Sequence, residues 1–177
     1  MKKTIIDILY EENQALDKYL EENGEISLRS NIDSNFRKTL LLAVASYFEF
    51  IVTDNILKLV EEQINTAIPL LHFIKNKAIE RQYHTYFDWN SRNANTFFGL
   101  FGSDFKEFMK TESRSNLKFE SSIRAFIELG QIRNQLVHEN FAVFPLDKTV
   151  EEIYQLYKDA LVFIESFPIK VREFLKT

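Results

Sequence analysis

An all-α fold is predicted by three features of this sequence of 177 residues. Only four glycines and three prolines are present, so few turns are forced and long helices are favoured over a many-stranded sheet. Apolar residues recur at helical spacing in several long segments. The length suits one domain with a substantial core. We therefore expect residues 1–177 to form a single bundle of about five to six helices.

Three helices are predicted in the first half of the chain. The first covers about residues 3–22 and ends before Gly24, because glycine is common just beyond a helix C-terminus. The second covers about residues 33–64 and starts at a capping aspartate or serine. It is apolar around much of its circumference, so it should be the central and most buried helix. Pro69 suits the first turn of a third helix over about residues 68–83.

The helical pattern stops over residues 85–102, where a polar stretch precedes an apolar one that contains two glycines. We predict an ordered loop with a short turn there. Its asparagines and glycines should shape the loop rather than grip a phosphate, and three aromatic side chains should hold it to the core: Phe97, Phe98 and Phe101.

The second half of the chain is predicted to contain three helices. A short one runs from Ser103 to about Met109, and a long one covers about residues 118–140. A final helix covers about residues 149–167, because its first residues have the spacing of a capping box. Pro168 is expected to end it, since proline disrupts a helix interior.

Composition limits the classes of function and the location. The chain has no cysteine, so it can form neither a disulfide nor a thiolate metal site. We expect no cofactor and no metal, because the histidines and carboxylates lack the spacing of metal ligands. His72 and His84 are interpreted as isolated surface or partly buried residues. The formal net charge of −4 argues against broad nonspecific binding to nucleic acid, although a local basic site is compatible with it.

The location expected from these features is the cytoplasm, with no membrane association. The basic start Met1-Lys2-Lys3 meets Asp7 before any long apolar run, so no signal peptide is expected. The longest apolar run, around residues 40–46, is followed closely by Glu49, so no bilayer-spanning segment is expected.

The stretch with the clearest chemical potential contains Arg133, Asn134 and His138, on the predicted helix 118–140. Five residues turn a helix by about 500°, so Arg133 and His138 point about 140° apart, whereas Asn134 and His138 share a face. Arginine matches phosphate oxygens with its planar guanidinium, and histidine can accept or donate a proton near neutral pH. These are groups that can cleave RNA without a metal. A structural alternative is that both side chains cap carbonyls at the helix end.

The motif and its position resemble the HEPN superfamily of ribonucleases and nucleotide-binding domains. Members carry an arginine, a polar residue beside it and a histidine four to six positions along, which Arg133, Asn134 and His138 match in an R-N-x3-H pattern. Two further stretches resemble the branch called RiboL-PSP-HEPN: the Ala-Ser-Tyr-Phe-Glu sequence at 45–49 and the Asn-Ala-Asn…Phe-Gly sequence within 93–99.

The resemblance implies a homodimer in which two motif helices face each other and each copy completes the other's site. It also implies metal-independent RNA cleavage that leaves a 2′,3′-cyclic phosphate, commonly in toxin–antitoxin or anti-phage systems with an antitoxin or defence-system partner. One toxin branch carries a tyrosine two residues after the histidine, which an antitoxin modifies. Asn140 stands there, so that route of inactivation is not implied. Glu49 and Ser46 could orient the site from the second helix, or form a buried polar contact between helices.

RNA, with tRNA as one candidate, is the partner expected from these observations. Lys118 and Arg124 could form a basic strip on the motif helix together with Arg133, although neighbouring glutamates dilute it. Two alternatives remain: a noncatalytic HEPN module that binds a nucleotide or a protein, and a helical scaffold in which Arg133 and His138 are separately satisfied by backbone carbonyls.

Overall fold

The computed structural model describes residues 3–64 and 67–176, so Met1 and Lys2 at the basic start lie outside the described residues. Over those ranges the chain is helical and has no strand, which confirms the all-α class. The same ranges hold one π-helical turn, Lys75–Ile79, and eight α-helices: Ile5–Glu22 (α1), Ile26–Gln63 (α2), Ile68–Ile74 (α3), Tyr83–Tyr86 (α4), Asn95–Gly99 (α5), Ser103–Ser115 (α6), Leu117–His138 (α7) and Val150–Phe174 (α8). The count exceeds the prediction because α4 and α5 are short additions.

Helix α2 begins at Ile26, about two turns before the predicted start near residue 33. Gly24 has φ of 72°, which lets the chain turn sharply after α1. Arg29 then donates two hydrogen bonds to the Asp17 carboxylate at 2.7 and 2.8 Å, and it also pairs with Glu21 at 3.0 Å. These bonds tie the first turn of α2 to α1, so the added residues have a tertiary partner that periodicity does not reveal.

Helix α2 is not the most buried helix, and that prediction was wrong. It buries eight of its 38 residues, whereas α8 buries nine of 25. The core lies chiefly between α7 and α8. Phe126 of α7 is almost fully buried, with its ring centroid 5.6 Å from that of Phe48 and 5.2 Å from that of Phe163.

Among the described residues, α2 is also the one helix whose length and composition would suit a membrane span, although no bilayer-spanning segment was expected. A core helix of a soluble protein passes the same test. Three of its apolar side chains are completely buried against the rest of the chain: Leu40, Leu41 and Val44.

The predicted loop over residues 85–102 is ordered and contains the short helix α5. Phe97 and Phe98 are almost fully buried and Phe101 is half-buried, as expected for residues that hold the loop to the core. The Asn93 side chain accepts a hydrogen bond from the Asn95 backbone N–H at 2.9 Å. Asn93 therefore stabilises a turn of the loop, the structural role that the sequence suggested for it.

The third predicted helix, over residues 68–83, is interrupted. It passes from α3 into the π-helical turn, after which Glu80 is extended and Arg81 has a positive φ of 60°. The chain then re-enters a helix as α4. This break turns the following segment toward α7, which places Tyr83 and His84 beside the motif helix.

Helices α6 and α8 are both longer than predicted. Helix α6 continues to Ser115 rather than to about Met109, and Glu112 pairs with Lys170 of α8 at 2.7 Å. Helix α8 starts with the predicted Thr149 capping box, but it continues past Pro168 to Phe174. The interior proline costs several kcal/mol, and burial of the apolar side chains on both sides of it, such as Phe167 and Val171, offsets that cost.

A buried carboxylate fixes the start of α1 to α8. Asp7 accepts hydrogen bonds from the Thr4 backbone N–H at 2.8 Å and from the Tyr154 hydroxyl at 2.7 Å, and Lys158 lies 3.4 Å away. Burial alone would raise the pKa of Asp7, but the bonds from Thr4 and Tyr154 and the charge of Lys158 outweigh it and lower the pKa to about 2. Burial and the bond to Asp7 raise the pKa of Tyr154 to about 12.

Asp7→Asn is expected to lower the free energy of unfolding by about 2 kcal/mol at pH 7. A depressed carboxyl pKa stabilises the fold above the unfolded value near 4, and the contribution is lost as the pH falls to about 2. The difference from wild type should therefore narrow between pH 4 and pH 2 in urea unfolding curves. Asp147→Asn, at an exposed position, is the control and should match wild type. A difference that does not change with pH would contradict this role for Asp7.

Candidate active site

The motif residues lie in the last two turns of α7. Asn116 caps the start of this helix by accepting a hydrogen bond from the Phe119 backbone N–H at 3.0 Å. Arg133 and Asn134 are half-buried, whereas His138 is the last residue of the helix and is exposed. The predicted helix, residues 118–140, differs from the observed α7 by one residue at its start and by two at its end.

Arg133 opens into a cavity of about 240 Å³ between α2, α4 and α7, which we call the arginine cavity. Its Nη1 donates a hydrogen bond to the Asn134 Oδ1 at 3.1 Å, so the two side chains form one polar unit at the wall. The lining comes from four separate segments: Ala45, Phe48, Glu49, Tyr83, His84, Trp89, Phe126, Leu129, Gly130, Arg133 and Asn134.

His138 lies in a different, more open pocket, which we call the histidine groove. It runs between α7 and the loop that follows α4, and its lining comprises Phe87, Asp88, Trp89, Asn90, Gln131, Asn134, Gln135, His138 and Glu139. Trp89 and Asn134 line both the groove and the arginine cavity. Arg133 and His138 of one chain therefore face two adjoining spaces, as the divergence of about 140° predicted.

Trp89 separates these two spaces and rests directly on α7. A Cβ atom built on Gly130 would overlap the six-membered part of the indole ring, so only glycine permits this approach. The indole also has ring centroids of Phe87, Phe126 and Tyr83 within 5.0, 5.7 and 5.9 Å. One aromatic side chain of the loop thus fixes the backbone one turn before Arg133 and Asn134.

Tyr83 reports the electrostatics inside the arginine cavity. Burial raises the pKa of its phenol well above the usual range, and the Glu49 carboxylate raises it further, whereas Arg133 lowers it. Both charges therefore act on the same phenol. Within the described residues, Glu49 and Arg133 form no ion pair, so each charge remains available to a ligand.

The two supporting residues on α2 differ in position. Glu49 lines the arginine cavity across from Arg133, whereas Ser46 lines none of the pockets next to the motif. Both are exposed, so the alternative that they form a buried polar contact between helices is wrong. Ala45, one residue before Ser46, is the side chain that borders the cavity.

The predicted basic strip does not form one surface. Lys118 is exposed in the first turn of α7, about 22 Å along the axis from Arg133. Arg124 pairs with Glu120 and points to the opposite side of the helix from Arg133. It lines a third pocket with Arg92, and this pocket shares Gln131 and Gln135 with the histidine groove.

Three residues of the arginine cavity come from a segment that the sequence did not connect with the motif. His84 was interpreted as an isolated histidine, yet it lines the cavity with Tyr83 and Trp89. All three precede Arg133 by more than forty residues, and no spacing pattern links them to the motif. The sequence gives one hint that this segment matters, which is that Trp89 is its single tryptophan.

The helix end near His138 is held by a buried lysine rather than by the motif side chains. Lys38 of α2 donates a hydrogen bond to the Phe141 carbonyl at 2.7 Å, and its ammonium lies 5.2 Å from the centre of the Phe141 ring. In the part of the chain that the structure describes, neither Arg133 nor His138 donates a side-chain hydrogen bond to a backbone carbonyl. The scaffold alternative required such bonds for both.

The side chains that could ligate a metal ion are scattered in the structure. Across residues 3–64 and 67–176, no group of three or more histidine, aspartate or glutamate side chains is arranged to hold a metal ion. The arginine cavity contains one carboxylate, Glu49, and one imidazole, His84, which is fewer than the three side chains that a metal site of this kind needs.

Comparison with known proteins identifies the family. The family model described as RiboL-PSP-HEPN matches residues 7–173, which covers nearly the whole chain. No curated protein and no solved structure matches it. The matched span includes all or nearly all of each helix described and every residue that lines the arginine cavity. The chain therefore belongs to the RiboL-PSP-HEPN family.

Proposed function

We propose that this chain is a metal-independent endoribonuclease whose active site forms between two copies. One observation carries the proposal. The arginine and the histidine of the motif face adjoining spaces on either side of Asn134 and Trp89, and His138 is exposed. A phosphate at the boundary between those spaces would meet a fixed cation on one side and a titratable imidazole on the other.

The reaction needs only groups that the motif supplies. A base removes the proton of the ribose 2′-hydroxyl, whose oxygen attacks the adjacent phosphorus while the bond to the 5′-oxygen breaks. An acid protonates that leaving oxygen, which gives a 2′,3′-cyclic phosphate and a 5′-hydroxyl. Two His138 imidazoles, one from each copy, serve as base and acid. Arg133 stabilises the charge that builds on the phosphate. Asn134 orients the Arg133 guanidinium by accepting its hydrogen bond at 3.1 Å.

The surface around His138 supports pairing of two motif helices. Val137, Phe141 and Val143 have 45%, 43% and 75% of their surface exposed, although all three are large and apolar. They flank the histidine along the chain. Packing of a second copy against them would remove this apolar surface from water and bring the partner's motif to the same cleft.

The proposed path of the RNA leads along the exposed side of α7. Arg92 and Arg124 line the pocket next to the histidine groove, so they are placed to contact phosphates beyond the cleaved one. Lys118 lies too far along the helix for the same nucleotide. With few cations near the site and a net charge of −4, a structured RNA such as tRNA, held at few phosphates, suits this surface.

A toxin or anti-phage defence role in the cytoplasm is part of the proposal. An antitoxin or defence-system regulator would have to cover the histidine groove or separate the two copies. The modification of a tyrosine two residues after the histidine does not apply to this chain, because Asn140 stands there and has no hydroxyl group.

A noncatalytic binding module is the second candidate. The observation that favours it is the position of Arg133 in an aromatic cavity that does not contain His138. In this alternative the arginine binds a nucleotide phosphate and no bond is broken.

Purified protein is expected to cut total RNA and tRNA into discrete fragments in the presence of EDTA, with cyclic phosphate ends detectable by mass spectrometry. Its mass in solution, from light scattering, should correspond to a dimer. The control is an Arg133→Ala/His138→Ala double variant purified in the same way, which should leave both RNAs intact. Equal cleavage by the control would identify a contaminant, and no cleavage by a folded wild-type dimer would favour the binding module.

A further inference from the structure

Four aromatic rings line the arginine cavity, a feature that the cleavage chemistry does not need. Phe48 and Phe126 are almost fully buried, and Tyr83 and Trp89 are half-buried. Flat side chains around a narrow space are the usual platform for an unstacked nucleobase, because every base has a face that can stack.

Polar side chains line the arginine cavity beside these aromatic rings. Asn134 has its Oδ1 occupied by Arg133, so its amide N–H groups remain as donors. Glu49 is an acceptor only, and across the described residues its carboxylate has no hydrogen-bond partner. His84 completes the rim. The cavity therefore offers aromatic surfaces for stacking, the two acceptor oxygens of the Glu49 carboxylate and the positive charge of Arg133.

The volume suits a single base. At about 240 Å³ the cavity is smaller than the roughly 300 Å³ at which pockets for whole drug-sized ligands begin. It can hold one flat ring system while the attached ribose and phosphate stay outside, next to Arg133 at the wall.

We propose that the arginine cavity binds one unstacked guanine of the substrate RNA, with its Watson–Crick edge against Glu49 and its phosphate against Arg133. Guanine is the base whose edge carries two neighbouring groups of N–H donors, on N1 and N2, which match the two oxygens of a carboxylate. Uracil, cytosine and adenine place acceptors beside their donors and would meet the Glu49 charge unfavourably. The RNA context rests on the proposed ribonuclease function, whereas binding of the base does not require cleavage.

Trp89 makes this inference measurable without catalysis, because it is the single tryptophan of the chain and it lines the cavity. We expect guanosine 5′-monophosphate to quench its fluorescence in a saturable way, and the adenosine, cytidine and uridine monophosphates to bind about 10-fold more weakly or worse. Excitation at the red edge of the absorption band, with N-acetyltryptophanamide titrated in parallel, corrects for light absorbed by the nucleotide.

Glu49→Gln keeps the size of the side chain and removes the paired acceptors, so it should weaken guanosine monophosphate binding about 10- to 100-fold and abolish the preference. Glu61→Gln, at an exposed position of the same helix, is the matched control and should bind like wild type. Absence of quenching, equal quenching by all four nucleotides, or unchanged binding by Glu49→Gln would each overturn the proposal.

The failure of this inference can be told apart from failure of the proposed function. His138 lies outside the arginine cavity, so His138→Ala should retain guanosine monophosphate binding while it loses RNA cleavage. Cleavage by wild type without a guanine preference in quenching would overturn the base site and leave the nuclease proposal standing. Selective quenching in a protein that cuts no RNA would support the base site and overturn the nuclease proposal.

Discussion

Replacing His138 by alanine is expected to lower the rate of RNA cleavage by about 10²- to 10⁴-fold, the usual contribution of a general acid or base. The melting temperature should change by no more than about 2 °C, because the side chain is exposed and makes no hydrogen bond within the described residues. Arg133→Ala should cost about 10²- to 10³-fold, as expected for loss of a group that stabilises charge on the phosphate. Rates of tRNA cleavage in EDTA and thermal melts measure both effects.

Mixing wild type with His138→Ala tests whether the site is shared between copies. A mixed dimer keeps one imidazole, whereas the proposed reaction uses two, one as base and one as acid. After exchange of subunits, an excess of His138→Ala chains should therefore lower the activity well below that of the same amount of wild type alone. Activity that follows the amount of wild-type chain would mean that each chain carries a complete site, and would contradict the shared cleft.

Two substitutions outside the motif serve as controls for this experiment. His72→Ala removes an exposed histidine of α3, and Arg114→Ala removes an exposed arginine of α6. Both should cleave RNA at the wild-type rate. Full activity of His138→Ala beside active controls would contradict its catalytic role, and a large fall in its melting temperature would indicate a structural histidine.

The parts of the fold that the sequence predicts well are those with local causes. The Thr149 capping box sets the start of α8 through two reciprocal hydrogen bonds, and it forms as predicted. Periodicity also locates α7 to within two residues. Pro168 shows the limit of local rules. Proline lacks the backbone N–H that a helix interior needs and its ring crowds the carbonyl four residues earlier, yet burial of the neighbouring side chains retains the helix.

The candidate site also has one part that local sequence predicts and another that depends on tertiary packing. The motif is visible because Arg133, Asn134 and His138 lie within six residues of one helix, and the divergence of their side chains follows from helix geometry. Tyr83 and His84 become part of the site only through the break at Arg81, a non-glycine residue with positive φ that no sequence rule would select. The cavity is therefore a tertiary feature, although the motif beside it is a local one.

Gly130→Ala is expected to destabilise the protein by about 2–3 kcal/mol, whereas the same change in an unobstructed helix interior stabilises by about 1 kcal/mol. The sign is reversed because the new methyl group would overlap the Trp89 ring. The indole cannot easily move away, since rings of Tyr83, Phe87 and Phe126 surround it. Displacement would also open the wall between the arginine cavity and the histidine groove, so RNA cleavage should fall with stability.

A second helical glycine supplies the matched control. At Gly99 an added Cβ would lie 3.8 Å from the Lys106 side chain, which is an ordinary contact, so Gly99→Ala should be neutral or slightly stabilising. A double-mutant cycle with Trp89→Ala then isolates the contact, because Gly130→Ala should no longer be harmful once the indole is gone. Urea unfolding of the four proteins measures the coupling free energy. Additive effects would mean that Trp89 does not rest on Gly130, and the wall between the two spaces would need another explanation.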